Sequence, residues 1–188
     1  MKHGVTGFMR QALAEQADLL GMVNDAQVDA VVDMMAAAPR VFVAGVGRSG
    51  NVARCFAMRM MHMGVETYVV GETVTPAIKE GDLLLISSGS GETGALLNYA
   101  SRGRRFGAKI ALVTIFPDSS IGKMSDAVIR LPGVTFKSDA APTTKSSQPH
   151  GVLYEHMSFL LFDCMILALM DSRGFDRERL FDRHANLE

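Results

Sequence analysis

The run Val41-Phe42-Val43-Ala44, ending in Gly45, constrains this chain more than any other feature. Four consecutive apolar residues, mostly β-branched or aromatic, leave no polar side for solvent, so the segment has to be buried on both faces like a strand inside a parallel sheet. Residues 83–87 (Leu-Leu-Leu-Ile-Ser) and 109–115 have the same character, and 67–70 and 127–131 complete a set of five strands. Between and around them, apolar residues at helical spacing mark helices near 8–20, 26–38 (stopped by Pro39), 49–62 and 93–106, with a short one near 120–124. Strands separated mostly by helices predict an α/β fold, a doubly wound five-stranded parallel sheet flanked by helices.

With 188 residues and 48% hydrophobic content, the chain suffices for one core, so residues 1–188 read as a single domain. A net charge of -1 and the absence of Trp argue against a nucleic-acid partner. The most apolar stretch, 157–170, is interrupted by Asp163 and is shorter than the roughly 20 residues of a membrane helix, so no membrane partner is expected. Residues 1–20 carry Lys2, Arg10, Glu15 and Asp18 and hold no uninterrupted signal-peptide core; the expectation is a cytoplasmic protein. Cys55 and Cys164 lie in apolar, helix-like surroundings with no metal-site spacing, and are expected to be reduced core residues.

Residues 132–149 form a long loop rich in Pro, Ser, Thr and Lys, and Lys137, Thr143, Thr144 and Lys145 in it read as exposed loop residues. The helix that follows, about 151–172, is apolar nearly all round. One sheet covers only one side of it, so the other side is expected to meet a second copy of the chain.

Two glycine-rich turns follow strands. Gly45-Val46-Gly47-Arg48-Ser49-Gly50 precedes a helix whose free N–H groups and positive dipole suit an anion. Ser88-Gly89-Ser90-Gly91-Glu92-Thr93-Gly94 repeats the arrangement and adds three hydroxyls. In a flavodoxin-like strand order 2-1-3-4-5 the two turns open side by side at the carboxyl edge and form one crevice. Gly47, Arg48, Ser49, Ser88, Gly89, Ser90 and Thr93 are then the candidate ligands of one phosphate. Two other readings stay open. The first turn also fits a dinucleotide, with Glu72 on the ribose, and either turn could simply cap its helix.

These turns, with Ala57-Met58-Arg59-Met60-Met61-His62, Val70-Gly71-Glu72-Thr73, Thr75-Pro76-Ala77-Ile78, Gln148-Pro149-His150-Gly151 with Glu155, and the terminal Arg183-His184-Ala185-Asn186-Leu187-Glu188, resemble the sugar isomerase (SIS) domain family, within it the 6-phospho-3-hexuloisomerases. The resemblance runs from end to end. The chain departs from the family pattern around the last helix, where the family more often has Met, Phe and Gln in place of His150, Tyr154 and His156. It implies isomerisation of D-arabino-3-hexulose 6-phosphate to D-fructose 6-phosphate in the ribulose monophosphate pathway, without metal or organic cofactor, in a homotetramer.

Moving a carbonyl from C3 to C2 needs a base that takes the C2 proton and returns one at C3. Glu155, in the first turn of the last helix, fits either that base or a dipole-complementing helix start, and the resemblance favours the base. By the same resemblance His184 acts on the ring oxygen of fructose 6-phosphate, in its own or a neighbouring subunit's site. Competing functions are an isomerase of another phosphosugar, a phosphosugar-binding module without turnover, and a nicotinamide-dependent oxidoreductase.

Overall fold

Each apolar run becomes a strand in the computed structural model, which describes residues 4–135, 144–175, 180 and 182–187. The strands are β1 (Val41–Ala44), β2 (Thr67–Val69), β3 (Leu83–Ser87), β4 (Lys109–Thr114) and β5 (Ala127–Arg130). They pair in parallel in the order β2-β1-β3-β4-β5. Every residue of β1 and β3 is buried, as a run without a polar side requires. The helices are α1 (Val5–Leu19), α2 (Asp25–Ala37), α3 (Gly47–His62), α4 (Gly94–Arg105) and α5 (Val152–Ser172).

Two cores divide the sheet. On one face Val41, Val43 and Leu85 meet side chains of α2, α3 and α5, with Phe56 stacked on Phe162 at a centroid separation of 4.6 Å. On the other face Phe42, Leu84 and Leu112 meet Leu96 and Ala100 of α4. At the amino edge, Arg40 pairs with Asp82, which is 1% exposed and also accepts the Lys79 N–H at 2.7 Å. This ties the starts of β1 and β3 together and leaves their carboxyl ends to the two glycine turns.

The first turn works because the chain reverses almost on itself. A Cβ on Gly45 would sit 2.9 Å from Gly50 Cα, and one on Gly50 would sit 2.7 Å from the Gly45 oxygen. Only two glycines allow β1 to pass into α3 at that distance. The helix also starts earlier than the expected residue 49, so Gly47, Arg48 and Ser49 form its first turn.

The apolar last helix is longer than the stretch that marks it. Its 21 residues are long and apolar enough to cross a membrane, yet Leu153, Met157, Phe162 and Met165 are buried against the sheet and α3. Its outer side leaves Phe159, Leu160 and Leu167 between 43% and 47% exposed. The two cysteines correct the sequence expectation, because Cys55 and Cys164 are both exposed rather than in the core. Each lies on the outward side of its helix, α3 and α5, a phase that apolar neighbours alone do not fix.

Candidate active site

The two turns do open into one crevice. A cavity of about 250 Å³ at the carboxyl ends of β1 and β3 is lined by Ser49 from the first turn, Ser88, Gly89, Ser90 and Thr93 from the second, and Glu155 from α5. Gly47 and Arg48 stand beside it in the first turn of α3 rather than in its wall. Thr135, His150 and Gly151 close the side formed by the segment leading into α5. Lys137 and Thr143 fall outside the described residues, while Thr144 and Lys145 are not among the described lining residues.

The second turn is braced by its own serines. Ser88 Oγ accepts the Gly91 N–H at 3.1 Å, and Ser90 Oγ accepts the Glu92 N–H at 3.2 Å. A hydroxyl that accepts at its oxygen still has its proton to donate, so both can turn that proton toward a guest. Thr93 occupies the N-cap of α4 without a side-chain cap bond, which leaves its hydroxyl for the cavity. The first N–H groups of α3 and α4 have no partner within their helices, and both helices begin at the cavity, whose lining includes Val46, Ser49 and Thr93. Among the described lining residues none is Lys or Arg. An anion here is met by dipoles and neutral donors, a combination that suits a phosphate at two helix N-termini.

Glu92 and Glu72 both find partners outside the cavity. Glu92 accepts the Ser120 N–H at 2.7 Å, which holds its carboxyl below the usual range, so it fastens the turn to the segment after β4. Glu72 pairs with Arg54 of α3 at 3.0 Å.

Glu155 occupies the first turn of α5, aimed there by Gly151, whose φ of 89° reverses the incoming chain. Its side chain is 13% exposed, and its Oε2 lies 2.7 Å from Arg48 Nε. Beneath it Tyr154 forms the floor. Its hydroxyl donates to the Val113 carbonyl at 2.8 Å, so the Ser87 hydroxyl at 3.1 Å donates to it. Burial pushes the phenol up to about 12, and it stays neutral in the physiological range.

Glu15 is a partner the sequence does not announce. Its carboxylate takes hydrogen bonds from Ser146 Oγ at 2.7 Å, from the Ser147 N–H at 3.0 Å and from Gln148 Nε2 at 3.0 Å. It thereby pins to α1 the segment that delivers His150 and Gly151 to the cavity. No local pattern links residues more than 130 positions apart.

His184 does not join this constellation within its own chain. Its ring stacks on His62 at 5.4 Å, at the C-terminal end of α3. That helix has 16 residues with Gly47 at the cavity end, so the histidine stands about 20 Å away at 1.5 Å per residue. His62 is 2% exposed, and burial, then Arg59 and His184, lower its pKa. It is a packed residue and not part of the cavity.

Comparison with known proteins places this geometry. Residues 34–157 match the family model described as the SIS domain. The chain is 41% identical over 183 residues to the 3-hexulose-6-phosphate isomerase of Bacillus subtilis (strain 168), covering 97% of this chain and 98% of that protein. Over 174 residues it is 41% identical to the 3-hexulose-6-phosphate isomerase of Mycobacterium gastri, covering 93% and 86%. It also superposes on a Methanococcus jannaschii protein with a TM-score of 0.77 and 32% identity over 87% of each chain. That structure is described as inferring a 3-hexulose-6-phosphate isomerase function.

Proposed function

Since this chain belongs to the SIS domain family, we propose that it is a 3-hexulose-6-phosphate isomerase, interconverting D-arabino-3-hexulose 6-phosphate and D-fructose 6-phosphate. The observation that carries the reading at the level of chemistry is the cavity itself. The hydroxyls of Ser88, Ser90 and Thr93 share one space of about 250 Å³ with the carboxylate of Glu155. Such a pocket suits a small polar metabolite with an anionic end and a reacting end.

In the proposed reaction the phosphate rests on the two turns and the N–H groups of α3 and α4. That remote grip fixes C2 and C3 beneath Glu155. Glu155 takes the proton from C2 as electrons move onto the C3 oxygen, giving a 2,3-enediolate; the O2 hydroxyl proton passes to O3, and C2 becomes the carbonyl as Glu155 returns its proton to C3. A positioned base of this kind contributes roughly 10²- to 10⁴-fold. A 3-ketose esterified at C6 could close on O5 only as a four-membered ring, so it enters open. Fructose 6-phosphate closes to a furanose, so an acid for ring opening serves the reverse direction alone.

We assign that acid role to His184 acting in the cavity of a second copy, given its distance from its own. The half-exposed Phe159, Leu160 and Leu167 on α5 supply an apolar surface on which copies could associate, and a homotetramer is the proposed assembly. The pathway assignment, the ribulose monophosphate route of formaldehyde fixation, is part of the same proposal, as is a cytoplasmic location. Incubating the purified protein with 3-hexulose 6-phosphate beside a panel of pentose and heptose phosphates tests the function. Fructose 6-phosphate formed from the 3-hexulose at a rate well above every other conversion is expected. Faster isomerisation of another phosphosugar, or binding without turnover, refutes the assignment.

A further inference from the structure

The contact between Arg48 and Glu155 gives the arginine a different task from the one its place in a phosphate turn suggests. Arg48 follows Gly47 in the first turn of α3, where its backbone N–H is open to an anion. Its side chain, however, does not line the cavity. It is 60% exposed and crosses to α5, where Nε meets the carboxylate at 2.7 Å. Most exposed ion pairs contribute little, because solvent screens both partners. This pair is asymmetric: the arginine is in water, while the carboxylate is only 13% exposed and faces the space that receives the substrate.

We propose that Arg48 is a positioning residue for Glu155, holding the carboxylate ionised and oriented over the reacting carbons while the phosphate is bound by the turns without it. The inference rests on the isomerase reading and deepens it. A carboxylate that shares a cavity with an incoming dianion is driven toward its protonated form by like charge, and a protonated Glu155 is no base. A guanidinium whose Nε stands 2.7 Å from a carboxylate oxygen opposes that drive by its charge. The two meet as an ion pair, Arg48 Nε to Glu155 Oε2 at 2.7 Å, and the attraction draws that carboxylate oxygen toward the α3 side of the cavity. Among the described residues, the other titratable side chains lining that cavity are His150 and the neutral phenol of Tyr154, with His156 next in sequence on α5. None of these supplies a permanent positive charge.

The test is the pH dependence of kcat and KM for Arg48→Gln and Arg48→Lys, with fructose 6-phosphate as substrate and inorganic phosphate as competitive probe. Arg48→Gln is expected to lower kcat 10- to 100-fold, to leave KM and phosphate inhibition within about threefold, and to move the acid limb of the kcat profile upward by about one pH unit. Arg48→Lys is expected to restore the acid limb but only part of kcat, since an ammonium carries the charge without placing it where the guanidinium Nε stands. A tenfold or greater rise in KM and in the phosphate inhibition constant, with kcat kept, would make Arg48 a phosphate ligand and overturn the proposal. Unchanged kinetics at an unchanged melting temperature would overturn it as well, leaving a solvated surface pair. Wild-type protein assayed in parallel separates the two layers. Loss of all fructose 6-phosphate interconversion in wild type removes the isomerase reading and this one with it. Normal wild-type turnover with either contrary profile removes only the role of Arg48.

Discussion

Replacing Ser88 by Ala separates the phosphate cradle from the scaffold that carries it. Ser88 is 3% exposed, and its Oγ accepts the Gly91 N–H at 3.1 Å. That same N–H also reaches the Ser88 carbonyl oxygen at 3.1 Å, so removing the hydroxyl leaves the donor a partner. The stability cost is therefore below the ~1 kcal/mol typical of a lost hydrogen bond, and the melting temperature should fall by less than about 4 °C. Binding behaves differently. The hydroxyl proton has no competing acceptor among the described residues, and given to a phosphate oxygen it makes a charge-assisted bond worth about 1.5–3 kcal/mol. Its loss should weaken affinity roughly 10- to 150-fold. Calorimetric titration with fructose 6-phosphate, alongside a thermal melt, reads both numbers on one sample. An affinity within threefold of wild type, with the melt unshifted, would show that the turn does not grip the phosphate and would refute the placement of the substrate.

Glu155→Gln keeps the shape of the carboxylate and removes its basicity; kcat should fall roughly 10²- to 10⁴-fold with KM nearly kept, and steady-state turnover close to wild type would take the base role from it. Glu15 offers a pH test, because burial pushes its carboxyl up while the bonds from Ser147, Gln148 and Ser146 together outweigh burial and bring it to about 2 from 4.5. A depressed value means that the stabilisation is present above the unfolded pKa and lost as pH falls from about 4.5 toward 2. After solvent screening it amounts to about 1 kcal/mol. Urea midpoints taken down that window should fall more steeply for wild type than for Glu15→Gln, and parallel curves would deny the clamp any energetic weight. Leu160→Asp, placed on the outer side of α5, should shift the protein to smaller species in light scattering and reduce turnover with it, whereas an unaltered mass would exclude that face from the assembly.

The features legible in the sequence are those in which local pattern and environment coincide. β1 and β3 are apolar on both sides, and a parallel sheet is the environment that accepts such strands, so the runs, their order and the adjacency of the two turns could be read in advance. The cysteines show where this ends. α5 is apolar all round, so its sequence has no phase. Which side of it faces the sheet is set by contacts such as Phe56 on Phe162, and Cys164 falls on the other side. Met58, Met60 and Met61 divide in the same way within α3, with Met60 fully buried while Met58 and Met61 are 45% and 40% exposed. Glu15, Tyr154 and the partner of Arg48 act across the fold between residues distant in sequence, and no window of the chain contains both ends of those contacts.

The magnitudes explain why a cradle of neutral donors calls for a cation elsewhere. In the proposed pose, with C2 and C3 beneath Glu155 and the ester at C6, the phosphorus stands roughly 6 Å from the carboxylate by bond lengths alone. At an effective dielectric constant near 20 each unit of charge at that distance acts with about 2.5–3 kcal/mol, so a dianion opposes an ionised Glu155 by about 5 kcal/mol. A guanidinium some 4 Å from the carboxylate returns part of this, and because Arg48 is 60% exposed the water around it cuts the return to about 1–1.5 kcal/mol, about one pH unit. The pair therefore holds Glu155 nearer its ionised form although its cavity has just filled with negative charge. Removing Arg48 should therefore raise the acid limbs of kcat and kcat/KM by similar amounts, while in wild type and variant alike the limb of kcat, which reports the complex, lies above that of kcat/KM, which reports the free enzyme. Coincident limbs in both proteins would mean that the phosphate lies too far from Glu155 for its charge to be felt, and the shared cavity would then have to be divided into two separate sites.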